Sequence, residues 1–265
     1  MTSLSGVVWD ADAVSPDSEI PASAVREISE SQRRVFKRAR LDFQIVQKES
    51  DDQAKFDLFQ RLNSGTRLSE QEARNCLAVM LDPSFSKWLD NLAAQDYYTT
   101  VVDITERKER ESYGTENVLR YLACARTSIQ ELRKMGDFGE FLTDRMREFV
   151  TDSSFDRDQE AERFRFVFAI LKEALGDKSF RRYYSDGDRF TGAFSVSAFE
   201  AITSGIARNY DFWKSVSEED RPSIIRGRVK DVWQDETFGL RSGGGKSANR
   251  RIPYMVEVGE RIFQG

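Results

Sequence analysis

The sequence predicts a mainly α-helical protein with a partial α+β portion near its N-terminus. Apolar residues recur at helical spacing through most of the chain after residue 82, whereas the clearest alternation of apolar and polar residues lies at Leu41–Ile45. The 265 residues include 19 Phe but 5 Pro, which is typical of a filled helical core with few rigid loops. We therefore predict an α+β portion over residues 1–82 and a helical domain over 83–265.

The composition excludes several classes of chemistry. The chain contains no histidine, which rules out histidine-based triads, HExxH metalloproteases, HNH nuclease sites and any imidazole-ligated metal within it. A net charge of −5 argues against attraction of nucleic acid to the whole surface, while a local basic patch stays compatible with it.

No sign of a membrane or secretory segment is present in the sequence. No apolar run approaches the roughly 18 residues that span a bilayer, and the N-terminus lacks the basic and apolar pattern of a secretory signal. We expect a cytoplasmic protein with no membrane partner, in which Cys76 and Cys124 are buried free thiols.

The N-terminal portion is predicted to contain helices on either side of one strand. After a polar stretch over residues 1–20, a helix is predicted from Pro21, with a basic C-terminal half that suits the negative end of the helix dipole. Leu41–Ile45 alternates as a half-buried strand does. A second helix is predicted from Asp51 and a third after Ser69, where Ser69 and Glu72 form a capping box.

The remaining chain is predicted to be helical almost throughout, with glycine and short polar runs between the helices. A charged segment over Asp103–Ser112 is predicted to be exposed. The predicted helices are Asn117–Met135, Phe138–Val150, Asp158–Leu175, Ser197–Asn209, Ser217–Trp233 and Ser247–Phe263.

Two stretches invite a phosphate- or base-binding interpretation. Gly243–Ser247 does not satisfy a Walker A loop, because Leu240 stands where that loop requires glycine and no strong strand precedes it. Its basic residues could still receive a phosphate at a helix N-terminus, although composition favours a solvated helix start. These basic residues are Arg241, Lys246, Arg250 and Arg251.

The second stretch interleaves aromatic residues with Arg181, Arg182 and Arg189. Such an arrangement can stack bases and grip phosphates, and it is more often a core with a charged rim. The nearby Asp186–Asp188 lacks the further ligands of a calcium loop, so we predict no metal site. The aromatic residues are Phe180, Tyr183, Tyr184, Phe190 and Phe194.

One motif block carries a family resemblance. Phe59–Gly65, with the sequence FQRLNSG, is followed by Leu68–Asn75, with the sequence LSEQEARN. This block resembles the F-x-R-[IL]-N…G…L-[ST]-x-x-E-x-R-N stretch of the GmrSD-type restriction endonuclease N-terminal domain family, the domain-of-unknown-function family 262. A weaker similarity covers Phe180–Ala207.

The resemblance implies a ParB/sulfiredoxin-like α+β first domain, a helical region, and a role in restriction of modified or phage DNA. Family members use a D-G-Q-Q-R motif for nucleotide or DNA, and many carry a separate HNH nuclease domain. The D-G-Q-Q-R motif is missing, since the similar stretch Glu30–Arg34 lacks the Asp and the Gly, and the HNH domain is absent because the chain contains no histidine. The chain therefore resembles a truncated, split or shortened member, and we assign it no catalytic residue.

The motif residues divide into two groups. Phe59, Gly65, Leu68 and Glu72 are predicted to be structural, as an anchor, a turn, a core contact and a cap. The remaining polar positions fit structure and function equally well, because arginines and turn asparagines serve both. The nucleotide- or DNA-binding candidates are Arg61, Asn63, Arg74, Asn75, Arg181, Arg182, Lys246, Arg250 and Arg251.

Three functional hypotheses follow. The first is a non-catalytic or incomplete DNA- or partner-binding member of this defence family. A protein partner would carry the missing nucleotide motif or nuclease domain. The chain itself is expected to hold no cofactor, and NTP and Mg would bind only once the partner completes the site. The second is an NTPase or nuclease subunit with a pocket around Arg61, Asn63 and Arg74. The third is a purely structural interaction protein.

Overall fold

The protein is mainly helical in the computed structural model, as the sequence predicts. Its internal contacts form two compact units, Met1–Ser50 and Asp51–Gly265. The predicted boundary after residue 82 and the ParB-like character of the first portion stay predictions. No helix among the described residues combines the length and apolarity that crossing a membrane requires. The structure describes residues 7–8, 26–40, 70–103, 113–243 and 245–265.

The first unit contains a short parallel strand pair and a helix. Strand β1 (Val7–Val8) pairs with β2 (Arg26–Glu27), and helix α1 covers Glu30–Arg38. Ser29 accepts a hydrogen bond from the backbone N–H of Gln32 and donates its own backbone N–H to the Gln32 side chain. This capping box sets the helix start at residue 30.

Two predictions for the N-terminal portion have different outcomes. The helix predicted from Pro21 is wrong over Arg26–Glu27, which is a strand, because the capping signal comes later in the chain. The strand predicted at Leu41–Ile45 and the helix predicted from Asp51 lie outside the described residues.

The second unit consists of helices and one antiparallel hairpin. A 3₁₀ turn at Gly176–Lys178 precedes the hairpin, whose strands are β3 (Arg182–Tyr184) and β4 (Arg189–Thr191). The helices are α2 (Glu70–Leu81), α3 (Pro83–Ala93), α4 (Asp96–Thr99), α5 (Tyr113–Arg126), α6 (Ile129–Leu132), α7 (Phe138–Thr151), α8 (Arg157–Ala174), α9 (Val196–Arg208), α10 (Tyr210–Ser215), α11 (Arg221–Gln234), α12 (Glu236–Arg241) and α13 (Ala248–Ile262).

Most predicted helix boundaries in this unit agree with the structure within one or two residues. The single helix predicted over Asn117–Met135 is wrong, because the chain leaves α5 after Arg126 and starts α6 afresh. Ser128 and Glu131 form a capping box at that start, so a helix-start signal lay inside the predicted helix.

Helix α9 lies at the centre of the second unit. Every residue from Ser197 to Ala207 is buried, and the helix packs against α5, α8, α11 and α13. Its contact with α13 is the most extensive in the unit, and it depends on two glycines that allow the backbones to approach. A methyl group on Gly205 would lie 2.5 Å from the carbonyl oxygen of Gly259, so no larger residue fits there without separating the helices.

An aromatic layer joins α4, α5 and α8. Tyr98 and Tyr121 both contact Phe164 and Phe168, with ring centroids 5.0 to 5.7 Å apart. The tilted and edge-on arrangements are those that aromatic rings favour, and they add to the hydrophobic gain from burial. These four buried rings therefore pack α4, α5 and α8 of the second unit together.

Candidate functional site: a buried charge chain and a basic aromatic hairpin

A chain of ion pairs begins at Arg74, the motif arginine on α2. Its side chain is buried, and one terminal nitrogen donates to Oε2 of Glu116 on α5 at 2.8 Å. The other donates to the backbone carbonyl of Gly139 on α7 at 3.3 Å. Both terminal nitrogens of Arg74 therefore have protein acceptors on two other helices.

The series of ion pairs continues along α5 and reaches α9. Glu116 also accepts a hydrogen bond from Arg120, one helical turn later, at 2.9 Å. The second terminal nitrogen of Arg120 lies 3.4 Å from Oε1 of Glu200 on α9. Because each guanidinium divides its donors between two acceptors, the ion pairs form one connected network.

The last member of this series of ion pairs is Arg251 on α13. Nε of Arg251 donates to Oε2 of Glu200 at 2.9 Å, and a terminal nitrogen donates to Oε1 at 2.8 Å, which is the bidentate geometry. Glu200 has no exposed surface, so its charge is balanced entirely by protein donors. Burial acts to lower the pKa of Arg251, but the hydrogen bonds and charge of Glu200 outweigh it and raise that pKa.

A second polar feature accompanies this chain on α5. Asn117 is fully buried, and its side-chain amide lies next to the hydroxyl of Tyr113. Burial raises the pKa of Tyr113, and nearby Arg120 and Asn117 act in the opposite direction.

The structure gives different surroundings to the motif residues. Arg74 is an end of the buried chain, while Asn75 lies beside it and lines a cavity of about 10 Å³, the size of one water molecule. Glu72 is exposed on α2. The other predicted motif residues, namely Phe59, Arg61, Asn63, Gly65 and Leu68, lie outside the described residues.

The second predicted group, around the glycine-rich segment before α13, lies at the opposite end of the charge chain. Lys246 donates its side-chain amine to the carbonyl of Leu240, and its own carbonyl accepts from Arg251 at 3.3 Å. Arg250 is exposed on the first turn of α13. The structure thus links Arg74 and Arg251, two residues that sequence patterns placed in separate candidate groups.

The hairpin β3–β4 forms a separate basic and aromatic surface. Tyr184 pairs with Arg189 across the strands, and Arg182 lies two residues before Tyr184 on the same face. All three side chains are exposed, with 39% of the Tyr184 surface accessible. The guanidinium carbons of Arg182 and Arg189 lie 5.2 Å and 5.8 Å from the Tyr184 ring centroid. We call these three residues the hairpin face.

The opposite side of the hairpin is anchored on α11. Tyr183 and Phe190 pair across the strands, and Phe190 is buried. Lys230 forms an ion pair with Asp188 at 2.5 Å, and the Tyr183 hydroxyl donates to the same carboxylate at 3.0 Å. These hydrogen bonds, led by that from Lys230, lower the pKa of Asp188. The hairpin therefore lies flat on the helical body and presents one face.

Arg181 and Arg182, both predicted as binding residues, differ in their surroundings. The guanidinium of Arg181 contacts Asp103 at 2.6 Å and Asp177 at 3.2 Å, so acidic side chains already balance its charge. Arg182 belongs to the hairpin face, where its contact is with Tyr184. Sequence reasoning missed the supporting role of Lys230, because the ion pair with Asp188 joins distant parts of the chain.

Glu116 and Glu200 were also missed by sequence reasoning. The spacing of Glu116 and Arg120 is a helical ion-pair spacing, which was a usable signal. Glu200 is the one acidic residue in the otherwise apolar or small-residue stretch Ser197–Ala207, which was a second usable signal.

Comparisons with protein-family models, with curated proteins and with solved structures found no match for this chain. Within the described residues, no three acidic or cysteine side chains come together in a way that would hold a metal ion.

Cys124 gives the interior a measurable pH dependence. Burial, with a smaller contribution from Glu200, raises its pKa to about 12. The unfolded thiol ionises near pH 8.5, so its contribution to stability is complete below that pH and is lost as the pH rises toward 12. Between pH 8 and 9.5, wild type should lose about 1 kcal/mol more unfolding free energy than Cys124→Ala. Urea denaturation measures this difference, and parallel pH profiles of the two proteins would contradict it.

Proposed function

We propose that this chain is a non-catalytic, nucleic-acid-binding member of a DNA-defence system. The observation that carries the proposal is the hairpin face, where the exposed guanidinium groups of Arg182 and Arg189 lie 5.2 Å and 5.8 Å from the ring centroid of Tyr184. Guanidinium groups bind phosphate oxygens with two parallel hydrogen bonds, and an aromatic ring offers a surface for a base. The resemblance of the motif block to a DNA-restriction family supports DNA as the nucleic acid.

The charge distribution makes the binding local. The whole chain carries a net charge of −5, so it gains no general attraction to a polyanion. On the hairpin, Asp188 is engaged by Lys230, which leaves the two arginines of the hairpin face opposed mainly by exposed Asp186. The expected affinity is therefore modest and falls as salt screens these charges.

The NTPase or nuclease hypothesis has less support from the surroundings of the motif. Of the three residues assigned to that pocket, Arg74 donates to Glu116 and Gly139 and has little exposed surface. In the proposed function, this arginine instead holds α2 against α5 and α7. Nucleotide hydrolysis and DNA cleavage would then belong to a partner chain.

A salt titration tests the proposal. Fluorescence anisotropy with a labelled single-stranded oligonucleotide should show affinity falling with salt, with a slope of about 0.7 in the logarithmic plot for each phosphate contacted. Replacing Arg182 and Arg189 by glutamine should reduce this slope by about 1.4, because two phosphate contacts are lost.

The matched control is Arg133→Gln, an exposed arginine that pairs with Glu257 on a different part of the surface. It removes one positive charge without touching the hairpin face and should leave the salt slope unchanged. Absence of measurable DNA binding by wild type at low salt would contradict the proposal and favour a purely structural interaction protein.

A further inference from the structure

We infer that the hairpin face binds single-stranded DNA by stacking an unpaired base on the ring of Tyr184. This inference rests on the proposed function and specifies the form of nucleic acid that the same surface accepts. The ring is 39% exposed and stands opposite Arg189 in the strand register, so a base and its flanking phosphates meet one compact surface. Bases in a duplex are already stacked and cannot offer a free face to a tyrosine.

The way the hairpin is mounted disfavours insertion into a duplex groove. A two-stranded ribbon can enter the major groove, but it must project from the protein to do so. Here Phe190 is buried beneath the ribbon, and Lys230 holds Asp188 of the turn against α11. The turn also carries the exposed Asp186, whose negative charge would repel duplex phosphates. A flat ribbon with an acidic turn fits a strand lying across its exposed face.

The two arginines suit a single strand in a further way. Each guanidinium lies over the Tyr184 ring, at 5.2 Å for Arg182 and 5.8 Å for Arg189. A base that stacks on the ring replaces one of these guanidinium contacts, and both arginines can then contact the phosphates that flank the base. The arginines thus contribute an electrostatic part of the binding free energy that any strand with phosphates provides. The ring contributes a stacking part that requires a base.

Binding experiments on the 265-residue chain can separate the phosphate contribution from the base-stacking contribution. The probes are a labelled (dT)12 strand, an abasic strand with the same number of phosphates, and a 12-base-pair duplex. Wild type should bind (dT)12 more tightly than either other probe. Tyr184→Leu should weaken (dT)12 binding roughly 5- to 150-fold and leave abasic binding unchanged, because only the base-stacking term is removed. Tyr184→Phe keeps the ring and should retain most of the (dT)12 affinity.

The possible results distinguish the inference from the proposed function. If the duplex binds as tightly as (dT)12 and Tyr184→Leu changes neither, base stacking is refuted while DNA binding stands. If (dT)12 and the abasic strand bind equally, the site recognises phosphate alone, and heparin should then compete as well as DNA. If none of the probes binds wild type at low salt, both the inference and the proposed function fail. Thermal melting of each variant establishes that it is folded.

Discussion

Replacing Glu200 by glutamine should destabilise the second unit by about 3–5 kcal/mol, the usual result of breaking a buried ion pair by removing one partner. Glu200 is fully buried and accepts from Arg120 and twice from Arg251. Glutamine has nearly the same shape and retains one acceptor oxygen, but it leaves the largely buried guanidinium of Arg251 without the charge that balances it. It also removes one of the two carboxylates that pair with Arg120.

Thermal and urea denaturation followed by tryptophan fluorescence measure this loss, since Trp88, Trp213 and Trp233 all lie in the second unit. The control is Glu257→Gln on α13, which breaks the pair with Arg133 at the surface, where the two side chains are 46% and 54% exposed. That change should cost less than about 1 kcal/mol. Equal losses for the two variants would show that Glu200 has no special part in holding α5, α9 and α13 together.

Replacing Gly259 by alanine should destabilise the second unit by about 3 kcal/mol or more, because the crossing of α9 and α13 leaves no room for a methyl group. The added carbon would lie 2.8 Å from the carbonyl carbon of Ala201 and still nearer its oxygen. The carbonyl group of Ala201 and the Cα of Gly259 both belong to helix backbones, which cannot shift locally. The overlap with the added methyl group is therefore relieved only if α9 and α13 move apart. The most extensive helix contact in the unit would then loosen.

The matched control is Gly227→Ala on α11, where the added methyl group meets no atom within 4 Å. Alanine is the better helix former, so this variant should be stabilised by about 0.5–1 kcal/mol. Melting temperatures of the two variants should therefore shift in opposite directions. A Gly259→Ala protein as stable as wild type would mean that α9 and α13 are farther apart than the structure places them.

The candidate site was predicted only in part from sequence. Arg182 and the surrounding aromatic residues were recognised from their interleaving, but strands of three residues are too short to give a period-two signal. Which arginines are exposed depends on the hairpin: Arg182 lies on its outer face, while Arg181, the preceding residue, turns toward Asp103. Neighbours in sequence thus have different surroundings.

The sequence by itself determined most of the helices of the second unit, because apolar spacing and capping residues act within a few positions of one another. The helix predicted over Phe138–Val150 is Phe138–Thr151 in the structure, and that predicted over Ser247–Phe263 is Ala248–Ile262. These are local properties, so a local pattern is sufficient to predict them.

Only the tertiary structure decided which charged residues became interior partners. Arg120 and Glu200 are 80 residues apart, and Glu200 and Arg251 are 51 apart. Their meeting depends on how α5, α9 and α13 cross, and the close approach of α9 and α13 depends in turn on the missing side chains of Gly205 and Gly259. Helical periodicity predicts which face of a helix is buried, but the crossing geometry determines what that face meets.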